Sequence, residues 1–299
     1  MIPNPSADLL KRLKSNAPDF RKPVSLVRQD SSAFVSEMQN EESEPPAIES
    51  VEITHGLRGY WISGPETVTD QIVLFFHGGG INLGSTHDHL GLCARIAKAA
   101  QARVFSVDYR LVPEHVFPAP AEDAITAYKY LLSHGSPSHR IIPAGISAGG
   151  TLVIDLLLSA RDNRLPLPPA GVCMSPVVNM LFEGESVTKN IDNDWLTPAQ
   201  LTATRMLYLA GHNPEDPLAS PVYARLSGLP RLYIQAGTHE LLLSDVASFV
   251  DKARWAGVPV RFEIWEGMFH CWQAFAWQIP EGEEAINLAG AFIRDAMVR

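Results

Sequence analysis

Several things this sequence lacks narrow its function before any motif is read. No apolar stretch approaches the roughly 18 residues that a membrane helix needs, so no membrane span is expected. Ile72 to Phe76 is only of strand length. Met1-Ile2-Pro3-Asn4-Pro5 has no basic region followed by an apolar one, so no secretory signal is expected. Cysteine is scarce, with three in 299 residues. Cys93, Cys173 and Cys271 lie far apart and form neither a disulfide framework nor a metal spacing. A reducing, cytoplasmic setting fits them. Cys271 reads as a small apolar filler rather than a reactive thiol. Basic residues are in deficit, 24 against 33 acidic, for a net charge of −9. Such a surface repels phosphate backbones and argues against a nucleic-acid partner. Internal repeats and low-complexity segments are also missing.

What remains is a soluble, globular composition, 46% hydrophobic and 19% charged. Its length suits one α/β domain. Residues 1–48 stand apart as an N-terminal arm. Leu9, Leu10 and Leu13 mark a short amphipathic helix there, and Glu41-Glu42-Ser43-Glu44-Pro45-Pro46 reads as a breaker. From Val51 the pattern turns β-rich. Ile72–Phe76, Arg103–Val107 and Arg140–Ala144 are apolar runs, and later strands are expected at 171–174, 232–235 and 260–264. Helical spacing appears at 90–100, 121–132, 148–160, 245–256 and 283–297. Apolar strands alternating with helices imply a mostly parallel sheet covered on both faces. Residues 180–215 break the alternation and read as an insertion above that sheet. The core is then 49–179 plus 216–299, with arm and insertion forming a helical cap. Ligands of such sheets bind at the carboxyl ends of the strands.

The motifs fall at those ends. Gly145-Ile146-Ser147-Ala148-Gly149-Gly150 joins an apolar run to a helical one, which is the context of a nucleophile elbow. Glycines two residues either side of Ser147 allow strand and helix to approach while the serine projects from a strained turn. His77-Gly78-Gly79-Gly80 ends the strand begun at Ile72 and matches an oxyanion loop. Bare backbone amides there can face a developing negative charge, and the amide of Ala148 adds another donor. His77 is expected to brace the loop.

Ten histidines compete to be the base. The order Ser, then Asp or Glu, then His leaves His212, His239 and His270. His270 follows the last expected strand, on a loop able to reach Ser147. His212 belongs to the insertion, and His239 immediately precedes the acid. After the strand 232–235, Glu240 sits in a loop and Asp245 in the following helix. The loop position suits the acid better, with Asp245 as the alternative.

Taken with Asp108-Tyr109-Arg110-Leu111-x-Pro113-Glu114-His115 and Pro118-Ala119-Pro120-x-Glu122-Asp123, these motifs resemble the hormone-sensitive-lipase-like esterases, the bacterial family IV of the α/β-hydrolase fold. The resemblance runs from about residue 70 to the end. It implies an eight-stranded, mostly parallel sheet, a helical cap and hydrolysis of short-chain carboxylic esters without a cofactor. Ser147 is then the nucleophile, His270 the base and Glu240 the acid. Gly78, Gly79, Gly80 and Ala148 make the oxyanion region. Glu114 and Asp123 are expected to be structural. Two departures stand out. Ile146 replaces the Asp or Thr often found before the serine, and Glu240-Leu241-Leu242 replaces an Asp-Pro-Leu.

The expected partner is a small-molecule ester, with no metal. His87-Asp88-His89 offers ligand types but no third member at a definite spacing, and Asp88 reads as a solvated helix start. A lactonase, an amidase or formamidase, and a non-catalytic binder remain alternatives. The oligomeric state is open, a homodimer included. Phe20, Trp195, Met206 and Tyr208 are the bulky residues expected to limit pocket depth.

Overall fold

The computed structural model describes residues 5–19, 22–38, 46–64 and 67–298. Phe20 and residues 41–45 lie outside them. Three short helices open the chain: α1 (Pro5–Asn16), α2 (Val24–Asp30) and α3 (Ser32–Met38). Leu9 and Leu13, four apart on α1, are fully buried, as one stripe of a helix should be.

Eight strands follow: β1 (Ala47–Thr54), β2 (Leu57–Ser63), β3 (Val68–Phe76), β4 (Ala102–Asp108), β5 (Ile141–Ile146), β6 (Ala170–Met174), β7 (Arg231–Gly237) and β8 (Val260–Trp265). They form one sheet in the order β1-β2-β4-β3-β5-β6-β7-β8. β2 runs antiparallel to both neighbours, and every pairing from β4 to β8 is parallel. This is the mostly parallel, eight-stranded α/β-hydrolase sheet that the resemblance implies.

The remaining helices are α4 (Leu90–Ala100), α5 (Ala119–Ser133), α6 (Ala148–Asp162), α7 (Ser186–Lys189), α8 (Pro198–Leu209), α9 (Leu243–Trp255) and α10 (Pro280–Val298). They explain why the central strands are apolar throughout. In β3, Val73 and Phe75 pack with residues of α4 and α10, whereas Leu74 and Phe76 pack with α5, α6 and α9. Alternate side chains thus meet a helical layer on each face. Among the described residues no helix is long and apolar enough to cross a membrane.

Because β3 and β5 to β8 are parallel, their carboxyl ends share one edge. The residues that follow them, His77, Ser147, Ser175, Glu240 and His270, come to one edge of the sheet.

Candidate active site

Ser147 joins β5 to α6 with φ 55° and ψ −121°. That backbone is unfavourable for any residue with a Cβ, and the turn is held by its surroundings. Ser147 N donates to Met174 O at 2.9 Å on the next strand. A Cβ at position 145 would lie 2.2 Å from Gly149 O, and one at 149 would lie 2.0 Å from Phe76 O. The glycine spacing is therefore enforced by backbone contact. The N-terminus of the 15-residue α6 begins directly after the serine, where its dipole favours negative charge.

The loop after β3 is braced from several sides. Tyr109 Oη donates to His77 O at 2.9 Å, and the two rings stack at 4.2 Å. His77 Nδ1 donates to Gly78 O at 2.7 Å, the bracing role expected of it. Burial first, and then the neighbouring His77, hold the His89 pKa down to about 4. A neutral His89 donates from Nδ1 to Ser85 O and accepts the Gly78 amide on Nε2 at 3.3 Å. The amide of Gly78 is thus turned away from any substrate. Among the described residues, the amides of Gly79, Gly80 and Ala148 donate to no protein acceptor. Gly79 has φ 118°, and a Cβ there would meet Leu83 O at 2.2 Å. Of the expected oxyanion group, Gly79, Gly80 and Ala148 keep free donors, and Gly78 serves as a spacer.

His270 sits beyond β8 and meets both expected partners. Its Nε2 is 2.8 Å from Ser147 Oγ, and its Nδ1 is 2.9 Å from Glu240 Oε2. The other carboxylate oxygen, Oε1, accepts from Ser175 Oγ at 2.8 Å and Gly237 N at 2.7 Å. Asp245 instead bonds Asn179 Nδ2 at 2.9 Å, and nothing connects it to the imidazole. Burial resists charging of the His270 ring, but the Glu240 carboxylate bonded to Nδ1 outweighs it. The ring consequently titrates well above the ordinary histidine range. Burial raises the Cys271 thiol itself, which suits an inert filler.

Sequence reasoning missed Ser175 and Asp194 around this relay, and the backbone bond that Trp195 makes to it. Ser175, with φ 47°, ends β6 and touches both loops, donating to Glu240 and accepting from Cys271 N at 3.2 Å. Asp194 and Trp195 approach from the segment between β6 and β7 and bond the backbone of His270. A short motif flags none of them, because each acts through contacts distant in sequence.

Above Ser147 lies a largely apolar cavity of about 110 Å³. Phe34, Val35 and Met38 of α3 wall one side, and Phe182, Trp195 and Leu201 wall another. Trp195 lines this space as expected. Met206 and Tyr208 do not. Met206 is 69% exposed, whereas Tyr208 is fully buried with its ring against Phe117. Asp88 lies on the cavity rim instead of being only a solvated helix start. Among the described residues no group of three His, Cys, Asp or Glu side chains could hold a metal ion. Glu114 pairs with Arg28 and Asp123 with Arg110, both as structural ties.

The chain order Ser147, Glu240, His270 and the free amides beside them match the pattern of the serine-hydrolase class. The pattern of the α/β-hydrolase fold family matches residues 73–274. An acetyl-hydrolase of Streptomyces hygroscopicus is 42% identical over 237 residues, 79% of each chain. An esterase of Acinetobacter venetianus is 34% identical over 233 residues, 77% of each chain. The crystal structure of an esterase from the bacterial hormone-sensitive lipase family superposes with a TM-score of 0.93 at 39% identity, covering 99% of this chain and 100% of that one. Another esterase, soaked with p-nitrophenyl butyrate, gives 0.93 at 33% identity with the same coverage. The chain belongs to the α/β-hydrolase fold family and, within it, to the bacterial hormone-sensitive-lipase-like esterases.

Proposed function

We propose that this chain hydrolyses short-chain carboxylic esters through an acyl-enzyme intermediate on Ser147. The observation that carries the reading is His270, bonded to Ser147 Oγ on one side and Glu240 on the other. His270 Nε2 takes the hydroxyl proton as Oγ forms a bond to the ester carbonyl carbon. The carbonyl π electrons move to oxygen, where the amides of Gly79, Gly80 and Ala148 receive the charge. Glu240 holds the imidazole by its Nδ1–H and stabilises the imidazolium. As the intermediate collapses, the C–O bond to the alcohol breaks and Nε2 returns the proton to the leaving oxygen. Water then repeats the sequence against the acyl-enzyme, with His270 as base, and releases the acid and Ser147.

Pocket shape supports the preference for short acyl chains. Each buried methylene contributes about 0.8 kcal/mol, so efficiency climbs until the chain meets a wall. Phe34, Phe182 and Trp195 line the same small cavity as Ser147, and a related protein was soaked with a butyrate ester.

Two measurements test this. A fluorophosphonate should label Ser147, located by peptide mass spectrometry, and Ser147→Ala should lose about 10³-fold or more in kcat. Across p-nitrophenyl acetate, butyrate, hexanoate, octanoate and palmitate, kcat/KM should peak at about two to six acyl carbons. A peak at octanoate or beyond refutes the short-chain preference. Faster turnover of a lactone or an amide panel refutes the ester assignment.

A further inference from the structure

The segment between β6 and β7 grips the base as well as covering the serine. Asp194 Oδ1 accepts the His270 N–H at 3.0 Å, and Trp195 Nε1 donates to His270 O at 2.7 Å. The two neighbours thus hold the donor and the acceptor of one residue, in the peptide units on either side of its Cα. Asp194 Oδ2 accepts the Leu241 N–H at 2.9 Å, one residue beyond Glu240. A single carboxylate therefore spans the loop that carries the acid and the loop that carries the base. Oδ1 also accepts the Trp195 N–H at 2.8 Å, which fixes where the indole starts. Asn190 adds a parallel tie, its Nδ2 donating to Thr238 O at 2.9 Å and Glu240 O at 2.8 Å.

Burying a carboxylate is costly unless its oxygens are satisfied. Asp194 is 1% exposed, and its partners are all backbone N–H groups. Packing alone would be served as well by an apolar residue. The charge has a directional use that an apolar residue lacks, because it sets the spacing of three amides. His270, Glu240 and Cys271 face it within the site, and Lys14 of α1 shares a neighbouring groove with it. Burial pushes its carboxyl up to about 6 against the opposing pull of His270.

We infer that Asp194 and Trp195 are positioning residues, through which the inserted segment holds the His270 backbone in register with Glu240. Covering the pocket and completing the relay are then one structural event. The inference rests on reading Ser147, His270 and Glu240 as the catalytic relay.

The test compares wild type with Asp194→Asn and Trp195→Phe on p-nitrophenyl acetate. Trp195→Phe keeps an aromatic ring against Phe34 and loses the indole N–H together with part of the indole's bulk. Each variant should lower kcat by about tenfold or more through misplacement of the imidazole, with KM for this small ester within about twofold. Removing the carboxylate charge should also move the acidic limb of kcat/KM to lower pH in Asp194→Asn. Trp195→Phe changes no charge and should leave the limb in place. If Asp194→Asn does not fold, Trp195→Phe carries the test through kcat alone. A fluorophosphonate adduct mapped to Ser147 in wild type keeps the relay reading intact. With that adduct in place, a folded variant that retains kcat within about twofold overturns the positioning role by itself. An adduct at another residue instead removes the relay on which the inference stands.

Discussion

Glu240 divides its work between its two oxygens. Oε2 faces His270 Nδ1, while Oε1 accepts from Ser175 and the Gly237 amide. The carboxylate is thereby fixed in the one orientation that serves the imidazole. Protonation of His270 at Nε2 removes the lone pair that accepts the serine proton, so activity should be lost as pH falls through the His270 pKa. That pKa is raised, which places the acidic limb of kcat/KM above the ordinary histidine value of about 6.5 and the optimum on the alkaline side. Glu240→Gln removes a negative charge beside the ring. It should pull the limb downward and lower kcat by about 10²–10⁴-fold, whereas Asp245→Asn should do neither. A pH profile of the three proteins checks this, and a larger kcat loss in Asp245→Asn would make Asp245 the acid. Ser147 and His270 could be picked out in the sequence because each lies in a local pattern or follows a strand. Ser175 and Asp194 could not, since the partners they bond are 65 and 76 residues away.

At the scale of elements, the elbow depends on β5, α6 and β3 meeting through bare backbone. Gly149→Ala would place a Cβ 2.0 Å from Phe76 O, and the backbone must shift to admit it. We expect a loss of about 1–3 kcal/mol, which is a fall in Tm of several degrees for a chain of this size. Thermal melting measures it, and an unchanged Tm would show that the turn yields more easily than its contacts suggest. The central strands were readable because burial on both faces makes them apolar from end to end. In the arm, only the stripe of α1 was readable. α2 and α3 span seven residues each, too few for a clear period. The expectation for Met206 and Tyr208 failed for a geometric reason. Residues two apart on a helix diverge by about 200°, so the two cannot face one cavity. On α8 the cavity is lined instead by Gln200, Leu201 and Thr204, which share one face at three- and four-residue spacing.

For the molecule as a whole, the N-terminal helices are fastened to the sheet's loops at several points. Arg28 forks onto both oxygens of Glu114 at 2.7 and 3.0 Å and also donates to Asn82 O and Val112 O. It anchors α2, which leads directly into the cavity wall of α3. Arg28→Ala should loosen that wall. We expect kcat/KM to fall several-fold more for p-nitrophenyl hexanoate than for acetate, because only the longer chain gains from burial there. Equal losses on both esters would show that α3 does not bound the acyl group.

The fastening at the far end of the arm sets a timetable for synthesis. Trp277 Nε1 and Gln278 Nε2 both donate to Glu37 O, the latter across 241 residues of sequence. A ribosome adds about 5–20 residues per second, so α3 waits on the order of tens of seconds for the partners that dock it. Late in that interval Ser147 has been made, while His270 has yet to emerge. The nascent chain thus carries its nucleophile for a time without its base. Any product released before residue 270 should be catalytically silent toward cellular esters, and hydrolytic power should arrive only with the last stretch of translation.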